Sequence, residues 1–315
     1  MSSENGTRTS LVIGTRASQL AVWQAEWVQA RLHEIAPHLS IRLERIQTSG
    51  DKILDVPLAK IGGKALFIKE IEEALLRKDI DLAVHSMKDV PSVLPEGLAI
   101  HCVPQREDPR DALLSRDGRS FHELPPSANV GTSSLRRQAQ FLAQRPDLSI
   151  KMLRGNLDTR VRKLREGQFD AIVLAASGLK RLGWADQITE YLSTDISLPA
   201  VGQGALGIEG RADDTFIQDL LAPLNDSPSR LTVAAERAFL ARLEGGCQVP
   251  IAGHATLEGS MLTLHGLVAS VDGQQIIRDV IRGSVDEAES LGVALAERIL
   301  EAGGDKILNE IYGRA

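Results

Sequence analysis

Cys247 stands in Leu243-Glu244-Gly245-Gly246-Cys247-Gln248-Val249-Pro250, a glycine-flanked bend that follows a strongly helical run. Val233, Glu236, Arg237, Phe239, Leu240 and Leu243 recur there at helical spacing, and Gly245 suits the left-handed residue that closes a helix. A thiol held in a turn ahead of Pro250 can point at a ligand. The alternative is a small packed hydrophobe, since free cysteine is among the most buried residue types.

A second candidate is Asp89 in His85-Ser86-Met87-Lys88-Asp89-Val90-Pro91, a segment that follows an apolar strand, so its side chains emerge at the strand's carboxyl end. Asp89 reads as an acid group or, equally, as a turn-former before Val90-Pro91. His85 continues the strand and reads as a core or hydrogen-bonded histidine. Six arginines, Arg16, Arg136, Arg137, Arg154, Arg160 and Arg181, fall at strand-helix edges. Positive charge at a helix start opposes the macrodipole, so an anionic ligand is the expected reason for it. Arg162 and Arg165 instead lie mid-helix beside a Leu157, Val161, Leu164 stripe and read as ordinary surface. The glycine-punctuated, cationic stretch from Thr48 to Lys64 has the composition of a mobile lid, or of a plain surface loop.

The elements that must position these residues come in a repeated order. Leu11-Val12-Ile13-Gly14-Thr15-Arg16-Ala17-Ser18 reads as a strand entering a Gly-Thr turn, with a helix over Gln19 to His33; Asn129-Val130-Gly131-Thr132-Ser133-Ser134 repeats it, with a helix over Leu135 to Gln144. Pro37 to Leu43 parallels Pro146 to Met152, and Asp81 to Ser86 parallels Asp170 to Ser177. Such apolar runs between helices predict two α/β lobes with a mostly parallel core sheet each. Ligands bind outside the carboxyl ends of such strands, and each helix N-terminus there offers an anion site, so a cleft between lobes is expected.

Ser197 to Glu209 contains a formal G-x-G-x-x-G, but Leu198-Pro199 precedes it and the strand-like Gly207-Ile208-Glu209-Gly210 follows, which excludes a dinucleotide fingerprint. The stretch reads as a crossover returning the chain to the first lobe. Beyond Asp226 a helix, the Cys247 bend, strands over His254 to Leu257, Met261 to Ser270 and Gln274 to Arg282, and a helix over Asp286 to Ala302 predict a small α+β domain with a three-stranded antiparallel sheet. The expected division is 1–104 with 205–225, then 105–204, then 226–315.

Bulk properties fit a soluble globular protein of two or three domains: 315 residues, 43% hydrophobic and 25% charged. A net charge of −6 argues against general nucleic-acid binding, so any attraction for anions must be local. Cys102 and Cys247 are far apart, so neither a disulfide framework nor a metal site is expected. No apolar stretch approaches the roughly 20 residues of a membrane span, and the polar Met1 to Ser10 lacks a signal's apolar region, so a cytoplasmic protein is expected.

Five motifs together are long, ordered and specific: Val84 to Pro91, Arg106-Glu107-Asp108-Pro109-Arg110-Asp111-Ala112, Val130 to Arg137, Leu198 to Gly204, and Leu243 to Pro250. From about Leu11 to Tyr312 the chain closely resembles the porphobilinogen deaminase (hydroxymethylbilane synthase) family. That resemblance implies two lobes like type II periplasmic binding proteins plus a third domain. It implies condensation of four porphobilinogen molecules, with loss of ammonia, to the linear tetrapyrrole hydroxymethylbilane. It also implies a dipyrromethane cofactor held by a thioether to Cys247, and Asp89 as the catalytic residue. By the same resemblance Lys88, Thr132, Ser133, Ser134, Arg136, Arg137 and Arg160 bind the cofactor. Arg16, Ser18, Arg154 and Arg181 bind substrate carboxylates, and Lys60 and Lys64 belong to a mobile region over the site. A monomer with no nucleic-acid, membrane or metal partner is expected.

The residue types suit that chemistry. Each added unit brings two carboxylates, which bidentate guanidinium groups grip well. Loss of ammonia leads through cationic pyrrole species that a fixed carboxylate would stabilise. A solute-binding protein would share the cleft but would need export or a tether. A cysteine hydrolase would need a base beside Cys247, and His254 shows no orienting partner in sequence.

Overall fold

The computed structural model describes residues 8–52, 68–245 and 249–313. The chain opens with β1 (Ser10–Arg16), α1 (Gln19–Ile35), β2 (Ser40–Ile46), a single helical turn (Ser49–Lys52), α2 (Lys69–Leu76), β3 (Leu82–Ser86) and β4 (Leu98–Cys102). It crosses into β5 (Asp111–Ser115), β6 (Asn129–Gly131), α3 (Leu135–Gln144), β7 (Ser149–Lys151), α4 (Leu157–Arg165), β8 (Ala171–Ala175), α5 (Ala176–Arg181) and β9 (Glu190–Tyr191). It then returns through β10 (Leu206–Arg211) and α6 (Thr215–Leu221). The third region is α7 (Ser227–Arg242), β11 (Ile251–Glu258), β12 (Met261–Ala269), β13 (Ile276–Ser284), α8 (Ala288–Ile299) and α9 (Asp305–Tyr312).

Among the described residues the strands build three sheets, ordered β2-β1-β3-β10-β4, β7-β6-β8-β5-β9 and β11-β12-β13. The first two repeat one plan. In each, a central strand pairs in parallel with two neighbours, β1 with β2 and β3, β6 with β7 and β8. In each, the next strand runs antiparallel: β10 beside β3, and β5 beside β8. Both antiparallel strands are those that have just crossed from the other lobe, so the connections Val103 to Arg110 and Ser197 to Ala205 lie side by side. Gly204 shows why the second crossover is glycine-rich: its φ is +91°, and a Cβ would lie 2.3 Å from Glu107 O.

Strand alternation and helix faces put Leu11, Ile13, Val28, Leu32, Leu82 and Ile208 in the first core and Leu113, Phe121, Val130, Phe141 and Val173 in the second. The third core gathers Phe239, Leu243, Ile251, Leu264, Leu295 and Ile299 under the antiparallel sheet. Buried Glu236 joins the parts: its carboxylate accepts from Arg106 at 2.6 and 3.1 Å, from Gly202 N at 2.7 Å and from Ala255 N at 2.8 Å. A buried ion pair with every lone pair engaged holds geometry, because removing either partner strands a charge.

Three local expectations change. The left-handed residue ending α7 is Glu244 (φ +52°), not Gly245. Glu244 N donates to Ala241 O and Gly245 N to Leu240 O, which is a Schellman closure. Gly245 is needed for space instead, since a Cβ would meet Leu240 and Ile251 side-chain carbons at 2.5 and 2.6 Å. The expected helix ending at Ala302 stands as α8 and its π turn, and past the break at Gly303 (φ +104°) the chain adds α9, which the sequence reading does not include. In the first lobe Gly14 and Thr15 continue β1, so the turn falls at Ala17-Ser18. No helix among the described residues is long and apolar enough to cross a membrane.

Candidate active site

Both lobes bring a serine to the start of a helix at the carboxyl edge of the sheet. Ser18 Oγ accepts from Ala21 N at 3.3 Å and Ser134 Oγ from Arg137 N at 3.4 Å, so each caps its helix and presents the exposed N–H groups of the first turn. Thr132 is buried behind Ser134, whose N–H donates to Thr132 Oγ1 at 3.1 Å, and Ser133 Oγ donates to Leu153 O at 2.6 Å.

Arg16, Ser18, Gln24, His85, Ser86 and Asp89 line one pocket of about 70 Å³ on the first lobe. Gln24 Nε2 donates to Ser86 Oγ at 3.1 Å. Asp89 closes a 3-10 turn, Met87–Asp89, directly after β3, so both sequence readings meet here: it lies in a turn and it faces the pocket. His85 is buried, with Nε2 2.9 Å from Glu209 Oε2, as a hydrogen-bonded core histidine should be.

Cations come from both lobes, Lys88 from the turn after β3 in the first and Arg154, Arg160 and Arg181 from the second. Burial lowers the Lys88 ammonium to about 8; Asp89 opposes that shift, while Arg137 adds to it. Burial takes Arg160 down to about 10, with Arg137 and Arg154 adding repulsion and Asp89 attraction. Arg154 is also lowered by burial. Lys88 and Arg160 thus share a field with Asp89, and a bound carboxylate would favour their charged forms further. Arg160 Nε donates to Gly155 O at 2.7 Å and Arg181 Nη2 to Gly204 O at 2.7 Å. Arg181, lowered to about 10 by burial, sits at the last turn of α5 rather than at a helix start, so the dipole favours it there.

Arg136 and Arg137 are 5% and 6% exposed, and the anion that offsets their position at the start of α3 is Asp111 on β5. Asp111 Oδ1 accepts from Arg137 Nη2 at 2.7 Å and Nε at 3.0 Å; Oδ2 accepts from Arg136 Nη1 at 2.8 Å and Ser197 Oγ at 2.6 Å. Gln203 Nε2 donates to Oδ1 at 2.9 Å. Burial works to raise the Asp111 carboxyl, but the two guanidiniums outweigh it and hold the group well below the usual range. The sequence alone assigns no role to Asp111, Gln203, Glu236 or Arg106, although all but Glu236 lie in the five ordered motifs.

Arg162 bonds Glu166 across a helical turn on the exposed face of α4, and Arg165 bonds Gln187 at 3.1 Å, both ordinary surface contacts. His254 Nδ1 lies 3.4 Å from Glu236 Oε1, a carboxylate neighbour the sequence did not reveal. Cys247, Lys60 and Lys64 lie outside the described residues.

Fold and site define a protein of two α/β lobes, with Asp89 of the first in the field of Arg160 of the second, and a third α+β domain. Residues 11–219 match the profile "Porphobilinogen deaminase, dipyromethane cofactor binding domain" and residues 230–301 "Porphobilinogen deaminase, C-terminal domain". The chain belongs to the porphobilinogen deaminase family. It is 61% identical to the porphobilinogen deaminase of Syntrophotalea carbinolica over 95% of each chain. It is 58% identical to that of Geobacter metallireducens, over 96% of this chain and 95% of the relative. Among solved structures, a Bordetella pertussis BvgS VFT2 domain aligns at 14% identity over 74% of this chain and 93% of its own, with a TM-score of 0.42.

Proposed function

We propose that this protein condenses four porphobilinogen molecules head to tail, releases ammonia and yields hydroxymethylbilane, a step of tetrapyrrole biosynthesis. The observation that carries the reading is Asp89 in one pocket with Arg16 and Ser18, in the field of Lys88 and Arg160, on a chain that matches the family along most of its length. We read the protein as a cytoplasmic monomer with domains 1–104 plus 205–225, 105–204 and 226–315.

The donors fit a dipyrromethane, whose carboxylates suit cations drawn out of water. Lys88, Thr132, Ser133, Ser134 and Arg160 would hold it, with Arg136 and Arg137 adding positive field from their seat on Asp111, and Cys247 would anchor it through sulfur. When bound, it supplies a nucleophilic pyrrole end on which a chain can grow.

The chain's own residues do the rest. Arg16, Ser18, Arg154 and Arg181 receive the acetate and propionate groups of the incoming substrate and orient its aminomethyl carbon. Asp89 stands where positive charge develops as ammonia leaves; its carboxylate stabilises that charge and can take the ring proton released after the new carbon-carbon bond forms. Lys60 and Lys64 belong to the segment that would cover the cleft.

Intact mass tests the reading. Purified protein should carry an excess of two porphobilinogen units less two ammonias, and Cys247→Ser should be folded, without that mass and inactive. A solute-binding protein or a cysteine hydrolase would carry no such mass, and dipyrromethane found on Cys102 would refute the attachment.

A further inference from the structure

We propose that Arg237 is the positioning residue for Asp89, gripping from helix α7 the backbone that follows that carboxylate and touching the Met87 side chain that precedes it. The inference rests on the reading of Asp89 given above. Arg237 Nη2 donates to Pro91 O at 2.7 Å and Ser92 O at 3.4 Å, and Nη1 donates to Val90 O at 3.3 Å and lies 3.8 Å from Met87 Sδ. Met87 precedes Asp89 by two residues and Val90 follows it directly, so one guanidinium spans the turn. These carbonyls belong to the first lobe, whereas α7 belongs to the third region and runs directly into the closure at Glu244 and Gly245.

Packing holds the turn itself but not the chain leaving it. Met87 and Val90 are buried with Val103, Ala205 and Val233. Past Val90 the cover thins: a recess of about 290 Å³ runs along Ser92 and the Val233, Ala234, Ala238 face of α7, and Val93 is 78% exposed. Where apolar contact is incomplete, the direction of the loop is set by its hydrogen bonds. A planar guanidinium fixes several carbonyls at once, which a lysine ammonium on a flexible stem does poorly. Arg237 does not line the pocket around Asp89, so it acts on the reaction only through the turn.

The experiment compares Arg237→Met and Arg237→Lys, each alone and combined with Asp89→Glu, by steady-state kinetics with porphobilinogen, covalent mass and thermal midpoint. Arg237→Met should retain the covalent mass, lose about tenfold in kcat and keep KM within about twofold, with Arg237→Lys in between. Combined with Asp89→Glu, the loss should fall well short of the product of the single losses, because both changes misplace one carboxylate. If Arg237→Met fails to fold, Arg237→Lys carries the same cycle. Multiplicative losses, or unchanged kcat beside a lowered midpoint, would reduce Arg237 to a domain tie and overturn the proposal. An active wild type with an indifferent Arg237 refutes positioning alone, whereas a wild type that forms no hydroxymethylbilane refutes both readings.

Discussion

The two lobes share a strand plan and a serine-capped helix at the cleft, yet their buried charge is arranged oppositely. The first lobe buries an acidic set, Glu72, Glu209 and His85, in which Glu72 is pushed up to about 7 by burial first and by Glu209 second. Glu72 Oε1 and Glu209 Oε1 are buried without a hydrogen-bond partner among the described residues. The second lobe buries Asp111 fully engaged by Arg136, Arg137, Ser197 and Gln203. One scaffold thus carries a proton-holding interior behind the lobe that presents Asp89, and a permanently ionised interior behind the lobe that presents cations. Duplication supplies the geometry, and the two copies divide the electrostatic work.

The largest test of that contrast is Asp111→Asn. It leaves two buried guanidiniums without their carboxylate, and breaking a buried pair costs about 3 to 5 kcal/mol. Urea unfolding should show that loss at neutral pH. The sign with pH follows from the lowered carboxyl: its contribution is present above the unfolded value, near 3.8, and is lost only as pH falls towards the much lower folded value. A loss under about 1 kcal/mol would mean the second lobe does not depend on its ionised interior.

Asp89→Asn comes next and addresses the first lobe. It keeps shape and turn-forming capacity but can neither balance a cationic pyrrole nor accept a proton. Turnover should fall about 100-fold, near 2.7 kcal/mol of barrier, with cofactor retained and a nearly unchanged thermal midpoint. Asp89→Glu should retain more. Wild-type turnover in the Asn variant removes Asp89 from the mechanism, and a large fall in midpoint instead favours its role as a turn residue.

Much of this contrast could be read before the structure. The repeat predicted both sheets, α3 begins and ends at the expected Leu135 and Gln144, and the crossover after Ser197 returns to the first lobe as a strand. Those features are local, written in apolar period and turn residues. The networks were not legible because their partners are remote in sequence: Arg137 reaches Asp111 across 26 positions, Gln203 across 92, and Arg106 meets Glu236 across 130. A helix-start arginine looks the same whether its anion is a ligand or a buried aspartate. The end of α7 was misread for a similar reason, since the crowding of Gly245 by Ile251 depends on a strand in another part of the domain.

A smaller effect tests the first lobe's acidic interior. Glu72 has a folded value near 7 against 4.5 in the unfolded chain, so between those values the folded state binds more protons and stability falls as pH rises. Across pH 5 to 8 the loss should be about 2 kcal/mol. Glu72→Gln should flatten that slope and raise the midpoint at pH 8 while changing little at pH 5. An unchanged slope would place the pH sensitivity elsewhere and leave the lobes alike.

The last comparison is within the second lobe, between Arg160 and Arg162 on one helix. Arg160 is drawn from water beside Arg137 and Arg154, with Asp89 the attracting charge, whereas Arg162 is 60% exposed and bonds Glu166. An exposed pair of that kind contributes at most about 1 kcal/mol and nothing to a ligand in the cleft. A charge-assisted contact to a bound carboxylate is stronger, about 1.5 to 3 kcal/mol, so Arg160→Gln should weaken cofactor retention or porphobilinogen turnover by about tenfold or more. Arg162→Gln should leave both within about twofold. Cofactor content by intact mass and the KM for porphobilinogen separate the two outcomes. Equal losses at both positions would mean that the cleft responds to the overall charge of α4 rather than to the guanidinium beside Asp89, and the assignment of the second lobe as a carboxylate clamp would fail with it.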